Sequence, residues 1–351
     1  MSYQLFEPAV LGPLQLKNRV VRSATNEHLA RRDGQLTPAW VRAQAELAEH
    51  EVGLVITGHM TVERSQRADE GQAVLDRETD MSLLAQAADQ VHRAGGRLLV
   101  QISHSGLKAP ERVNGCPPKG PADFTAAELD ELVEKFADGA RICRGAGVDG
   151  VQVHNAHGYL LSSFLNPLEN SRTDEYGGTL ENRFRLPGRI LAAVRAACGP
   201  SFAILVKADV NACGDLHRLL QLYQEAGVDG AELSGLDFAA RAGQKEPFFL
   251  RELLEAREGI HLPLILVGGI FSRSSAQQVL EAGVPFVSFS RSLICQPDFI
   301  SRMKEGSQEE SACLACNGCY QVYRRRPVRC VQHKVPIQQL EQVFGPYDSE
   351  H

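Results

Sequence analysis

The sequence is short of the features that would direct it to nucleic acid, to a membrane or to the secretory route. It has no basic excess: 37 Lys and Arg stand against 43 Asp and Glu, a formal net charge of −6, whereas a phosphate-binding face needs clustered positive charge. The one basic run, Arg324-Arg325-Arg326, is too short to reverse that. No apolar stretch reaches the ~20 residues of a membrane span. The opening MSYQLFEPAVLG has neither a charged n-region nor an apolar h-region, so a cytoplasmic location is expected. Also missing is a GxGxxG after the first strand, which an open dinucleotide-binding sheet would carry. What is left is an ordinary globular composition of 351 residues, 43% hydrophobic and 23% charged, enough for one large domain or two small ones. A small-molecule partner is expected, with no nucleic acid and no membrane; a homo-oligomer is allowed.

Short apolar runs alternate with longer amphipathic ones, the pattern of a parallel sheet with crossover helices. The strands are expected at 19–24, 53–57, 97–102, 150–154, 203–207, 230–234, 264–267 and 286–289, with helices such as 38–50, 81–94, 126–146, 182–198 and 274–282 between them. Ala146-Gly-Val-Asp-Gly-Val, Ala226-Gly-Val-Asp-Gly-Ala and Ala282-Gly-Val-Pro-Phe-Val echo one another, each ending a helix at Gly and starting a strand. Eight such units predict an α/β fold, a (β/α)8 TIM barrel over residues 1–305, with a short Cys-containing extension over 306–351.

A barrel places its chemistry where the strands end on the C-terminal face. The residues there are Thr25 and Asn26, Gly58 and His59, Gln101 and His104, His154 and His157, Lys207, Ser234 and Gly235, Gly268 and Gly269, and Ser290 and Arg291. Taken singly, His59 and Ser234 read as loop ties. Gly268-Gly269 and Ser290-Arg291, on the last two strands, suit a phosphate: glycine lets the backbone approach the anion and Arg adds a bidentate charge. The densest stretch is Gly150 to Arg183. A strand ends on His154, with His157 and Tyr159 just beyond, so two imidazoles could hold a developing oxyanion while a phenol supplies a proton. The plainer reading is that the histidines cap a turn.

These residues resemble the Old Yellow Enzyme superfamily of FMN-dependent NAD(P)H:flavin oxidoreductases. Leu16-Lys-Asn-Arg-Val20 is similar to that family's opening strand and Gln101-Ile-Ser-His-Ser-Gly106 to its third-strand signature. His154-Asn-Ala-His-Gly-Tyr-Leu160, Arg172-Thr-Asp-Glu-Tyr-Gly-Gly178 and Glu181-Asn-Arg183 resemble its hallmark, and the similarity runs from about Phe6 to Asp298. The resemblance implies FMN across the barrel mouth, with Ala24, Thr25, Gly58 and Gln101 around the ring and Lys207 on its N1 and O2 side. It puts the phosphate at Gly268, Gly269, Ser290 and Arg291. It implies NADH or NADPH as reductant, His154 and His157 on the carbonyl oxygen of an activated alkene, and Tyr159 as proton donor. Asn26 stands where many members carry Thr or Cys to tune the flavin. Residues 107–123 fall where relatives cover the substrate, and their Pro and Gly content suggests a mobile lid. The 172–178 loop reads as self-ordering.

Nine cysteines without a secretion signal favour thiols, metal ligation or packing over disulfides. Four of them, Cys313, Cys316, Cys319 and Cys330, form a C-x2-C-x2-C-x10-C run that could hold an iron–sulfur cluster or zinc, or stay unligated. It resembles the four-cysteine segment of the dienoyl-CoA reductase and trimethylamine dehydrogenase branch, with the last two intervals each one residue shorter and no length left for a second flavin or nucleotide domain. The expected function is hydride transfer from NAD(P)H through FMN to an α,β-unsaturated alkene. The alternatives are a flavin-dependent amine-type dehydrogenase on the same barrel and a Schiff-base lyase using Lys207.

Overall fold

In the computed structural model, which describes residues 4–322, 328 and 330–332, eight short runs of apolar residues pair edge to edge. They are β1 (Val20–Arg22), β2 (Leu54–Ile56), β3 (Arg97–Ser103), β4 (Gly150–Asn155), β5 (Ala203–Asp209), β6 (Gly230–Ser234), β7 (Leu264–Val267) and β8 (Phe286–Phe289). Every neighbouring pair is parallel, and β8 returns to β1 with Val287 opposite Val20, which closes the ring. The expected (β/α)8 barrel is therefore the fold. Strands covered on both faces read as continuous buried runs, as β5 does over its whole length.

The helices between them start at side-chain caps. α1 (Pro38–Glu49) follows Thr37, α2 (Met81–Arg93) follows Asp80, and α3 (Ala126–Gly145) follows Thr125 in a capping box with Glu128. α4 (Leu180–Cys198), α5 (Leu216–Glu225) and α7 (Arg273–Glu281) follow Thr179, Asp215 and Ser272; α6 (Leu250–Ala256) has no side-chain cap. The repeated Ala-Gly-Val is a helix stop. Ala146, Ala226 and Ala282 cap α3, α5 and α7, and the next glycines sit at φ 80, 71 and 84°, a left-handed turn that releases the chain into the next strand.

One expectation needs correcting. Leu16 to Val20 is not a single opening strand: an antiparallel hairpin, Ala9–Leu11 with Leu14–Leu16, comes first, and the barrel strand starts at Val20. Gly12 at φ 54° makes the turn. The alternation points Leu11, Leu14 and Leu16 inward against Leu54, Leu99, Leu205 and Phe286, so the hairpin plugs the barrel end away from the strand C-termini. Each buried leucine contributes about 1.5–3 kcal/mol.

Beyond β8, α8 (Arg291–Cys295) and α9 (Phe299–Glu305) lead into the extension, which packs on the barrel. Arg273 donates its N–H to Glu309, Ser311 to Phe271 and Gly243 to Ala315. Residues 333–351 of the extension and the basic run Arg324-Arg325-Arg326 lie outside the described residues. Among the described residues no helix is long and apolar enough to cross a membrane.

Candidate active site

A cavity of about 740 Å³ opens at the C-terminal mouth of the barrel. Its walls include Ala24, Thr25, Asn26, Gln101, His154, His157, Tyr159, Lys207, Gly268, Gly269, Ser290 and Arg291. Twelve of the expected site residues thus meet in one place, although they come from six different strand ends. Gly58 does not reach the cavity. Its N–H is taken by the Glu27 carboxylate at 3.1 Å, and a Cβ there would lie 2.5 Å from the Thr25 carbonyl oxygen, so it serves close packing behind the wall.

Under the cavity a chain of polar side chains crosses the barrel interior. Gln101 Nε2 donates to Gln152 Oε1 at 2.6 Å, and Gln152 Nε2 donates to Glu232 Oε2 at 2.9 Å. Ser288 Oγ donates to Glu232 Oε1 at 2.6 Å, and Lys207 Nζ lies 3.3 Å from Oε2 while donating to Ser23 Oγ at 2.7 Å. Glu232 is fully buried. Burial works against its charge, yet Lys207, Ser288 and Gln152 together hold the carboxyl below its ordinary value. Sequence reasoning missed Glu232, although an acidic residue at the centre of a short apolar strand is itself a signal, because it needs a partner inside the barrel.

On one side of the mouth four rings cluster. His154 lies 5.4 Å from His157 and 4.9 Å from Tyr159, centroid to centroid, and His59 lies 4.8 Å from Tyr159. His154 is buried, and its Nδ1 has no hydrogen-bond partner among the described residues. The His154 ring lines the cavity wall beside His157 and Tyr159. His157 sits at φ 63°; its backbone N–H donates to Asp209 Oδ2 at 2.7 Å and its Nε2 meets Ser234 Oγ at 2.9 Å. Burial holds both imidazoles well below their ordinary value, so they are neutral near pH 7. Asp209 also accepts from Ser162 Oγ at 2.8 Å, and burial raises its carboxyl to about 7.

The remainder of the hallmark sequence builds the support. Arg172 donates to the Pro121 and Phe124 carbonyls, each at 2.7 Å, and pairs with Asp174. Arg183 bonds the carbonyls of Leu165 and Cys213, which fixes the short helix Leu160–Leu165 behind Tyr159. The 172–178 loop is held partly by its own Asp174, which accepts from Arg172 and from the Tyr176 N–H, and partly by the Arg172 bonds to the 121–124 segment. The 107–123 segment is ordered here by short helical turns and by Asn114, which exchanges hydrogen bonds with the Arg67 backbone. From it Lys108 places its ammonium 5.4 Å from the Tyr159 ring centre.

At the opposite end Gly268 and Gly269 take φ of 119° and 78°, and a Cβ on Gly269 would fall 1.6 Å from the Glu246 carbonyl oxygen. Only glycine fits there. Arg291 lies over the Phe271 ring at 5.1 Å, donates to Ala315 O at 3.2 Å and also bonds Asn317 Oδ1. Asn317 and Tyr320, from the extension, line the cavity too. No sequence pattern pointed to them, because the extension reaches the mouth only by folding back. Asn26 is committed to Asp69 through a 2.7 Å bond, and Asp69 pairs with His28 at 3.1 Å.

The cysteine run is less orderly than its spacing suggests. Cys313 and Cys319 are buried and Cys316 is exposed. Cys295 packs against Cys313, and the pair holds the Cys313 thiol below its ordinary value while pushing Cys295 up. Among the described residues no three ligating side chains are arranged to hold a metal ion.

The family model described as NADH:flavin oxidoreductase / NADH oxidase matches residues 4–310. NADH oxidase of Thermoanaerobacter brockii is 29% identical over 94% of this chain, which spans 56% of that protein. The 4,4'-dithiodibutanoate disulfide reductase of Rhodococcus erythropolis is 30% identical over 90% of this chain and 92% of its own. In fold, 2-naphthoyl-CoA reductase superposes with a TM-score of 0.90 at 21% identity, over 97% of this chain and 58% of that one. The old yellow enzyme homologue from Zymomonas mobilis gives 0.78 at 22%, over 92% and 99%. With the family model spanning the whole barrel, the chain belongs to the NADH:flavin oxidoreductase / NADH oxidase family.

Proposed function

We propose that this chain reduces the C=C bond of α,β-unsaturated carbonyl compounds at the expense of NADH or NADPH. The observation that carries the reading is the cluster of His154, His157 and Tyr159 on the wall of the cavity that Lys207 also lines. The residues fit FMN. The cavity is of ligand size; Gly268 and Gly269 form a side-chain-free wall beside Arg291, and Lys207 lies elsewhere on the lining. Ala24, Thr25, Asn26 and Gln101 would flank the ring, Lys207 its pyrimidine edge, and Gly268, Gly269, Ser290 and Arg291 the phosphate. When bound, FMN supplies two-electron hydride chemistry that no side chain offers.

The protein's own groups then have separate tasks. The neutral imidazoles of His154 and His157 donate to the carbonyl oxygen and stabilise the charge that grows there as the β-carbon takes hydride. Tyr159 gives a proton to the α-carbon. An amine-type substrate would present a nitrogen instead of an oxygen to these donors, which fits the pair less well. The lyase reading loses its nucleophile, since Lys207 is engaged by Glu232 and Ser23. Iron–sulfur or zinc at Cys313, Cys316, Cys319 and Cys330 is a separate proposal and carries no step here.

Stopped-flow measurement of the two half-reactions tests the reading. Tyr159→Phe should leave flavin reduction by NAD(P)H nearly intact and slow alkene reduction by ~10²–10⁴, the usual worth of a positioned general acid. Equal losses in both would make Tyr159 a binding residue. No loss in either would remove it from the mechanism.

A further inference from the structure

His59 sits on the wall of the cavity, and the reaction as described so far does not use it. Its side chain is buried, its ring meets the Tyr159 ring edge-on, and its Nε2 lies 3.4 Å from the Tyr159 oxygen. The other face of the imidazole shows which nitrogen holds the proton. Gln72 Oε1 accepts the Ala68 N–H at 2.6 Å, which fixes the amide orientation and turns Nε2 toward His59. That Nε2 donates to the His59 carbonyl at 3.1 Å and lies 2.7 Å from His59 Nδ1. A nitrogen that receives an amide N–H carries no hydrogen of its own. In a neutral imidazole the hydrogen must then be on Nε2, the atom facing Tyr159.

We propose that His59 is a positioning residue for Tyr159: its Nε2–H donates to the phenol oxygen, which orients the phenol O–H for donation and stabilises the phenolate left when that proton goes to the alkene. The proposal rests on the reading of Tyr159 as proton donor. In the step, the Tyr159 O–H bond breaks, a C–H bond forms at the α-carbon, and the electron pair of the broken bond stays on the phenolate oxygen. The electrons that saturate the alkene arrive with the hydride, and the phenolate regains its proton from water. Burial supports the neutral state, pressing the His59 imidazole down to about 4. A protonated His59 would set its Nδ1–H against the Gln72 amide N–H, whereas a neutral one accepts from Gln72 and donates to Tyr159.

The test compares His59→Ala with His59→Gln, whose amide N–H reaches the place of Nε2, each alone and with Tyr159→Phe, on the FMN-loaded enzyme. His59→Ala should slow alkene reduction roughly tenfold, the low end for a hydrogen bond to a charged group, and leave flavin reduction within about twofold. His59→Gln should recover most of the loss. On the Tyr159→Phe background His59→Ala should have no further effect, because the oxygen it serves is gone. Equal slowing of both half-reactions, no recovery by Gln, or multiplying losses in the double variant would overturn the proposal. If Tyr159→Phe slows alkene reduction but His59→Ala does not, only the His59 assignment falls. If Tyr159→Phe has no effect, the proton-donor reading falls and this proposal with it.

Discussion

Replacing Glu232 by Gln isolates the charge of the ion pair beneath the cavity. Gln is nearly isosteric: its oxygen keeps the bonds accepted from Gln152 and Lys207, while its nitrogen donates to Ser288 Oγ and so reverses the bond that Glu232 accepts now. What disappears is the negative charge 3.3 Å from the Lys207 ammonium. At that separation and an effective dielectric constant of ~20 the gross attraction is about 5 kcal/mol. Both side chains are almost wholly buried, so the lysine left behind cannot recover its loss from water. Breaking a buried pair from one side costs roughly 3–5 kcal/mol, whereas removing both partners costs far less. Glu232→Gln and Lys207→Met should therefore each lower the unfolding free energy of the apoprotein by about 3 kcal/mol or more. The double variant should lose less than the sum, with a coupling of at least ~2 kcal/mol. Urea unfolding at pH 7 of the four proteins measures the cycle. A single-variant loss below about 1 kcal/mol, or strict additivity, would refute the claim that the pair sets the electrostatics of the barrel interior.

Arg291→Ala should weaken FMN binding by ~1.5–3 kcal/mol, roughly 10- to 150-fold, as measured by flavin fluorescence quenching on titrating apoprotein; an unchanged Kd would move the phosphate elsewhere. Asp209 has a folded value of about 7 against an ordinary 3.8, so its contribution to stability is fully present below pH 3.8 and is lost as pH rises through about 7. Asp209→Asn should flatten that part of the stability curve, gaining on the wild type between pH 5 and 8 in thermal melts; parallel curves would contradict the raised value. Gly269→Ala, forced against the Glu246 carbonyl at φ 78°, should yield protein that binds little FMN, and normal yellow protein would show that the 246–249 segment gives way. If Cys313, Cys316, Cys319 and Cys330 hold metal, elemental analysis of anaerobically purified protein should find iron with sulfide, or zinc, near one site per chain. A metal-free protein would leave the Cys295–Cys313 contact as thiol packing.

The eight strands were legible because a strand buried on both faces must be apolar throughout and must follow a helix stop. Ala-Gly-Val shows such a stop in residue types alone, since only glycine turns left-handed without cost. Strand ends then marked His154, His157, Lys207, Gly268, Gly269 and Arg291 as site residues, because a barrel has one mouth at the C-terminal ends of its strands. The sequence could not say which of two polar residues at a strand end faces the cavity and which packs behind it. Gly58 turned out to lie behind the wall and its neighbour His59 on it, since a period of two assigns sides but not the roll of each strand once the barrel closes. Nor could it pair Glu232 with Lys207, or His59 with Tyr159 a hundred residues away. The Arg291 contacts with Ala315 and Asn317 were hidden for the same reason. Local composition fixes what a segment can form and which side it buries, while a contact across the barrel exists only once closure sets the register of all eight strands together.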